Sequence, residues 1–291
     1  MTYDFNIKKM ENKIQINTNK WLFPATNSIE LYKLSGRSYV TYISEITAVG
    51  KGITNVCTGD SILLSKVSCD IATAPTSPYE VDGEKFYNIP YTQIMGKFKN
   101  NMRDFNSLEM LENKILFEKI ERNSNSTLDI SDSHTIIGKV LKVGNNCILK
   151  KGDLIIIVDN TSTPVRFNEK VYYASEERTV VGIFKDSSDL SIRNLKIINE
   201  NILMKPYVSK NILNSSILET PEINYEDLDY SDINNRDLFR VEYVDENLNN
   251  IKEGEILLLN RDYTNYVYYD NEKYFIISGK KWISGKIKER D

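Results

Sequence analysis

The residues able to do chemistry are few, and their spacing offers little to build with. His134 is the single histidine among 291 residues and sits in the polar run Ser131-Asp132-Ser133-His134-Thr135. One histidine removes most histidine-based metal sites. A Ser-His-Asp triad would have to use this residue, and no G-x-S-x-G elbow is present to hold the serine. His134 reads as a solvent-facing loop residue. Cys57, Cys69 and Cys147 are odd in number, far apart and without a C-x-x-C pair. A disulfide framework is therefore not expected; a reducing compartment is, with each thiol a small buried hydrophobe. The acidic run Glu222, Glu226, Asp227, Asp229 and Asp232 lacks the EF-hand spacing and its central Gly, and reads as a solvated loop. Glu176-Glu177-Arg178 reads as an exposed turn. No G-x-G-x-x-G follows a strand-like run, and no pair of carboxylates is singled out for a hydrolase. The expectation is no catalytic residue, no cofactor, no metal, and a protein that is not an enzyme.

Tyrosine is the aromatic in excess, with 18 residues against 10 Phe and 2 Trp. Tyr263, Tyr266, Tyr268, Tyr269 and Tyr274 cluster toward the end of the chain, and Tyr172 and Tyr173 adjoin in its middle. Tyr266 and Tyr268 flank Val267, so a strand here places both on one face. Such a pair is either core wall with satisfied hydroxyls or a rigid, amphipathic protein-contact face. Stacking of single-stranded nucleic acid fits poorly, because Asp262, Asp270 and Glu272 would repel phosphates. The formal net charge of −4 likewise gives no general basic field for nucleic acid or an anionic membrane.

The elements that would position these residues are strands. The chain is 41% apolar and 27% charged, enough to bury a core, and its length suggests about two domains, with one or three also compatible. Residues 1–20 carry charges throughout and lack the apolar h-region of a signal peptide, and the longest apolar run, Leu154 to Val158, has strand length. A soluble chain without an export signal is expected.

One order of events recurs three times. The first copy reads Ala48-Val49-Gly50, Thr58-Gly59-Asp60 with Ile62-Leu63-Leu64, Glu84-Lys85-Phe86-Tyr87, then Ile94-Met95-Gly96-Lys97. The second reads Lys142-Val143-Gly144, Lys151-Gly152-Asp153 with Leu154-Ile155-Ile156, Glu169-Lys170-Val171-Tyr172, then Val180-Val181-Gly182-Ile183. The third reads Glu253-Gly254-Glu255 with Ile256-Leu257-Leu258, Glu272-Lys273-Tyr274-Phe275, then Ile283-Ser284-Gly285-Lys286. From the turn Gly to the Glu-Lys pair the spacings are 25, 17 and 18 residues, and from that Glu to the last Gly 12, 13 and 13. A Gly before an acidic residue and a β-branched run predicts a tight turn at positive φ. Each copy opens on a strand-like stretch at Lys13–Ile16, Lys114–Phe117 and Asn201–Met204. The fold class expected is all-β: three tandem small β-barrel domains at 1–102, 103–190 and 191–291.

The second copy carries a family resemblance. Asn113 to Glu121 is followed by a polar loop from Arg122 to Thr135. Ile137-Gly138-Lys139-Val140-Leu141-Lys142-Val143-Gly144, Lys150-Lys151-Gly152-Asp153-Leu154-Ile155-Ile156 and Glu176 to Ile183 complete the order. This resembles the chaperonin-10 (GroES-like) barrel, over roughly 80 residues. The resemblance implies a loop after the first strand that ends in a short apolar segment and docks on a chaperonin ring. In the second copy the corresponding loop holds only Leu128 and Ile130 as apolar residues, split by Asp129; in the third it holds Ser216-Ile217-Leu218, a better match by residue type; in the first it holds Trp21, Leu22 and Phe23, which do not match. The zinc alcohol dehydrogenases that share this barrel would need a Cys/His ligand set that is missing here.

From fold and composition the expectation is a structural or interaction protein whose loops contact other subunits of a large capsid or tail lattice. A bacteriophage virion component, made in the host cytoplasm, fits best: a capsid-decorating or head/tail assembly protein, oligomeric in context. The alternative is a cytoplasmic co-chaperonin-like protein capping a chaperonin ring. The candidate contact residues are Trp21, Leu22, Phe23, Leu128, Ile130, Ile217, Leu218, Tyr266 and Tyr268, the co-chaperonin alternative using the loop around Ser216 to Leu218, with no nucleic acid and no membrane as partner.

Overall fold

A computed structural model describes residues 13–17, 43–50, 52–65, 79–81, 84–120, 135–158, 162–207, 237–259, 265–269 and 272–287. The protein is all-β, with three antiparallel sheets and, among the described residues, only single-turn 3-10 helices. The first sheet comprises β1 (Lys13–Asn17), β2 (Ile43–Val49), β3 (Ser61–Leu64), β4 (Tyr79–Val81), β5 (Glu84–Pro90), β6 (Ile94–Phe98) and β7 (Leu108–Met110), in the order β4-β5-β1-β2-β3-β6-β7. The second comprises β8 (Lys114–Lys119), β9 (Thr135–Val143), β10 (Leu154–Val158), β11 (Thr163–Phe167), β12 (Lys170–Glu176), β13 (Val180–Phe184) and β14 (Leu195–Ile197), in the order β11-β12-β8-β9-β10-β13-β14. The third comprises β15 (Asn201–Pro206), β16 (Asp237–Val244), β17 (Ile256–Leu259), β18 (Asn265–Tyr269), β19 (Glu272–Ser278) and β20 (Ile283–Ile287), in the order β18-β19-β15-β16-β17-β20.

These are one topology written three times, the third lacking a seventh strand among the described residues. The likeness extends to defects. Where the first strand pairs with the second, the register shifts by one residue after Gln15, after Leu116 and after Leu203, with the extra residue at Thr47, Leu141 and Glu242 of the second strand. A bulge adds local twist, and three at one position bend all three sheets alike.

The glycine turn is the same in each copy. Gly59, Gly152 and Gly254 have φ of 91°, 100° and 84°, and a Cβ built on any of them would meet nothing within 4 Å. Backbone conformation, not crowding, therefore demands glycine here. Each turn amide donates back to the second strand, to Ile46, Val140 and Val241 at 2.7, 2.8 and 2.8 Å. The acidic residue that follows accepts the amide three residues earlier, with Asp60 taking Cys57 N–H, Asp153 taking Lys150 N–H and Glu255 taking Lys252 N–H.

The structural register corrects the repeat alignment by one residue. Glu84, Lys170 and Glu272 hold equivalent places at the start of the fifth-type strand, so Glu169 lies in the turn ahead of β12. The final short strands β7 and β14 lie past Met102 and Leu190, so each sheet takes its last strand from chain beyond those points. The chain divides into two compact units, Met1–Asn125 with Ile136–Ile155 and Asp159–Thr179, and Ser126–Thr135 with Ile156–Val158 and Val180–Asp291. Among the described residues no helix is long and apolar enough to cross a membrane.

Replacing Gly152 by Ala should cost about 1–2 kcal/mol, the ordinary strain of a side chain at left-handed φ. Urea unfolding checks it, and an unchanged midpoint would count against the turn as a fixed element.

Candidate interaction surfaces

The most organised contacts are the two junctions at which one sheet ends and the next begins, one within each compact unit. In both, three residues join the seventh strand to the next first strand: Leu111-Glu112-Asn113 and Ile198-Asn199-Glu200. The leading residue turns back under the sheet it has left. Leu111 N–H donates to Met95 carbonyl and Ile198 N–H to Val181 carbonyl, each at 3.1 Å. Both side chains are buried, and Leu111 joins the first sheet's core beside Ile46, Ile62, Leu64 and Ile94. Lys114 N–H then bonds Leu111 carbonyl as Asn201 N–H bonds Ile198 carbonyl. Glu177 N–H reaches Asn113 carbonyl as Gly279 N–H reaches Glu200 carbonyl. Positive φ at Glu112 (47°), Asn199 (60°) and Glu200 (56°) lets the chain reverse so sharply.

The side chains facing across each junction also correspond. Phe98 packs edge-on against Phe167 at 6.2 Å between centroids, and Phe184 lies tilted against Tyr269 at 6.0 Å. Phe105 adds contacts to Phe167 and a stack on Tyr172 at 4.9 Å. Lys142 donates to Leu108 carbonyl at 2.6 Å and to Asn106 carbonyl at 3.1 Å, with its ammonium over the Phe105 ring. In the second unit the Tyr269 hydroxyl donates to Leu190 carbonyl.

An ion pair locks the entry to the second sheet. Lys114, almost fully buried, donates to the Glu176 carboxylate at 2.6 Å, and Arg178 reaches the other oxygen. Burial opposes ionisation of Glu176, but the hydrogen bond and charge of Lys114, with Arg178, hold its carboxyl below the ordinary 4.5. Asn201 and Ser278 hold the same register positions in the third sheet and join through a hydroxyl-to-amide bond of 2.6 Å. The exposed turn expected at Glu176-Glu177-Arg178 is exposed only at Arg178. Glu177 is buried and accepts Leu149 N–H at 2.8 Å, which a backbone donor without a local partner requires.

Of the sequence-derived contact residues, Tyr266 and Tyr268 are brought together on β18. Their rings meet edge-on at 5.5 Å on the face opposite buried Val267 and Tyr269. The Lys273 ammonium lies 4.3 Å from the Tyr266 ring centre and 5.6 Å from that of Tyr268, so the patch is cationic and aromatic together. Trp21, Leu22, Phe23, Leu128, Ile130, Ile217 and Leu218, like His134 and Cys69, lie outside the described residues. Cys57 is exposed in the loop before the glycine turn, where its amide rather than its thiol is used. Cys147 is half-buried, and burial pushes its thiol up to about 11. An open groove of about 1120 Å³ runs along Lys97, Glu109, Glu112, Lys142 and Lys151, but Lys97 and Lys142 already bind the groove's own carbonyls. Among the described residues no three His, Cys, Asp or Glu side chains gather as a metal-holding group. The junctions escaped the sequence reading, although an apolar residue three positions ahead of the second and third first strands, Leu111 and Ile198, was a signal for them.

No protein-family model matches the chain, and no curated protein matches it either.

Two outcomes are expected at the first junction. Phe167→Ala should lose about 3 kcal/mol in urea unfolding; a loss under about 1 kcal/mol would mean that the ring does not hold the sheets together. Glu176→Gln leaves the Lys114 ammonium buried without its counter-charge and should cost about 2 kcal/mol at neutral pH. Because the folded pKa of Glu176 is lowered, its contribution is full above about 4.5 and fades as pH falls below that value. The variant should therefore show a shallower acid limb than the wild type, and parallel limbs would refute the pairing.

Proposed function

We propose that this chain is a non-enzymatic structural protein that works by contact with other protein subunits, as part of a bacteriophage virion in which it decorates the capsid or joins head to tail. The observation that carries the reading is the repetition of one sheet and one junction with the backbone bonds preserved and the side chains free to differ. Such a plan fixes faces and loops in space, which suits multivalent attachment better than turnover of a small molecule. The Tyr266–Tyr268–Lys273 patch supports it with the residue types that dominate protein contacts. The repeated strand order and glycine turn remain in keeping with a GroES-like ancestry for the sheets.

Mass spectrometry of purified particles from the natural source is the test. The protein should co-purify with them at fixed stoichiometry, and Tyr266→Ala with Tyr268→Ala should reduce its occupancy about tenfold or more while leaving the folded protein intact. Absence from particles, together with ATP-dependent capture on a chaperonin that Ile217→Asp abolishes, would overturn this reading in favour of a co-chaperonin.

A further inference from the structure

In the first two sheets the sixth strand is not the edge. β6 pairs with β7, setting Gly96 opposite Met110, and β13 pairs with β14, setting Gly182 opposite Ile197. Both glycines lie under the incoming backbone. A Cβ on Gly96 would stand 2.6 Å from Glu109 carbonyl oxygen, and one on Gly182 2.8 Å from that of Lys196. β20 carries Gly285 at the same position, and there a Cβ would meet nothing within 4 Å. Its outer edge has no partner among the described residues. The seat beneath that edge differs too. With Leu111 and Ile198 in place, Ile94 and Val180 are 1% and 0% exposed, whereas the equivalent Ile283 is only half-buried. Among the described residues the third sheet thus has an open edge and an open core seat where the other two have a strand and its plug.

The chain also contains a segment of the required kind. The closing strand and plug always lie directly ahead of the next first strand: Leu108-Glu109-Met110-Leu111-Glu112-Asn113-Lys114-Ile115, and Leu195-Lys196-Ile197-Ile198-Asn199-Glu200-Asn201-Ile202. Ahead of β1 the sequence reads Ile7-Lys8-Lys9-Met10-Glu11-Asn12-Lys13-Ile14, and Met-Glu-Asn-Lys-Ile there matches Leu-Glu-Asn-Lys-Ile at 111–115 in all but its first residue. We propose that Ile7 to Met10 of one copy closes β20 of another, so that copies of this chain join head to tail through a third version of the junction. This deepens the assembly reading by naming a second copy as a partner, but it rests on the sheet topology and not on the virion.

In that joint Met10 takes the seat of Leu111, Ile7 pairs opposite Ile287, and Lys9 passes over Gly285. Positions that are apolar in the in-chain junctions are polar on both sides here. β20 has exposed Ser284 where Met95 and Val181 are buried, Lys9 stands in place of Met110 and Ile197, and β1 holds Gln15 at the register of Leu116 and Leu203. Lys286, opposite Lys8, is already neutralised by Glu255 at 2.6 Å. Main-chain pairing and the plug supply the attraction while the wetter seam weakens it, so the joint is reversible. A heterologous contact of this kind does not close on itself in pairs and extends into chains.

Sedimentation velocity of the full chain over roughly a hundredfold range of concentration tests the proposal. The wild type should sediment faster as concentration rises. Gly285→Val, whose added Cβ has nothing within 4 Å, should keep the wild-type melting temperature yet remain a monomer throughout. Met10→Asp should also remain a monomer, and an equimolar mixture of the two variants should recover a dimer and nothing larger, because only one intact edge and one intact donor remain. A concentration-independent wild-type monomer would overturn the proposal, as would undiminished association of Gly285→Val. Neither result would bear on particle co-purification, so the joint and the assembly reading can fail separately.

Discussion

The amide of Leu111 bonded to the carbonyl of Met95, repeated by Ile198 on Val181, is the contact on which the rest of the architecture depends. It obliges one residue to complete the old sheet while the chain is already turning into the new one. The connector is then held to three residues, the reversal forces positive φ at Glu112, Asn199 and Glu200, and an apolar side chain must sit at the turning point to fill the core behind it. Successive sheets therefore follow one another along the sequence with only three residues between them.

Once the backbone bonds are met, side chains at equivalent places vary in chemistry. Lys114 and Glu176 hold by charge what Asn201 and Ser278 hold by a neutral hydrogen bond, and Phe98 on Phe167 becomes Phe184 on Tyr269 with a hydroxyl anchored to a carbonyl. A buried ion pair must recover a large desolvation cost, so the neutral pair is a workable substitute and neither is dictated by the fold. The weak resemblance among the three copies outside the turns has this origin: main-chain bonding restrains few residue types.

What was legible in the sequence is what is local. The glycine turns announced themselves because only glycine tolerates their φ, and the apolar runs Ile62-Leu63-Leu64, Leu154-Ile155-Ile156 and Ile256-Leu257-Leu258 that follow them read directly as strands. The shared face of Tyr266 and Tyr268 followed from alternation alone. By contrast, β7 and β14 are three residues each, too short to show a period, so their membership of the preceding sheet could not be read. Glu177 looked solvent-bound because its partner, Leu149 N–H, lies 28 residues away. Cys57 looked like a core residue because residue type outweighs position in such a reading, whereas the loop before the turn faces water.

The placement of the closing strand has a consequence for biosynthesis. The first six strands of the leading sheet end at Phe98, but its seventh lies at Leu108–Met110 and its plug at Leu111, so a nascent chain cannot seal that sheet until the start of its neighbour leaves the ribosome. The same lag recurs at Ile198 for the second sheet. Translation therefore hands each module over incomplete and lets the next one finish it, which ties the order of folding to the order of synthesis.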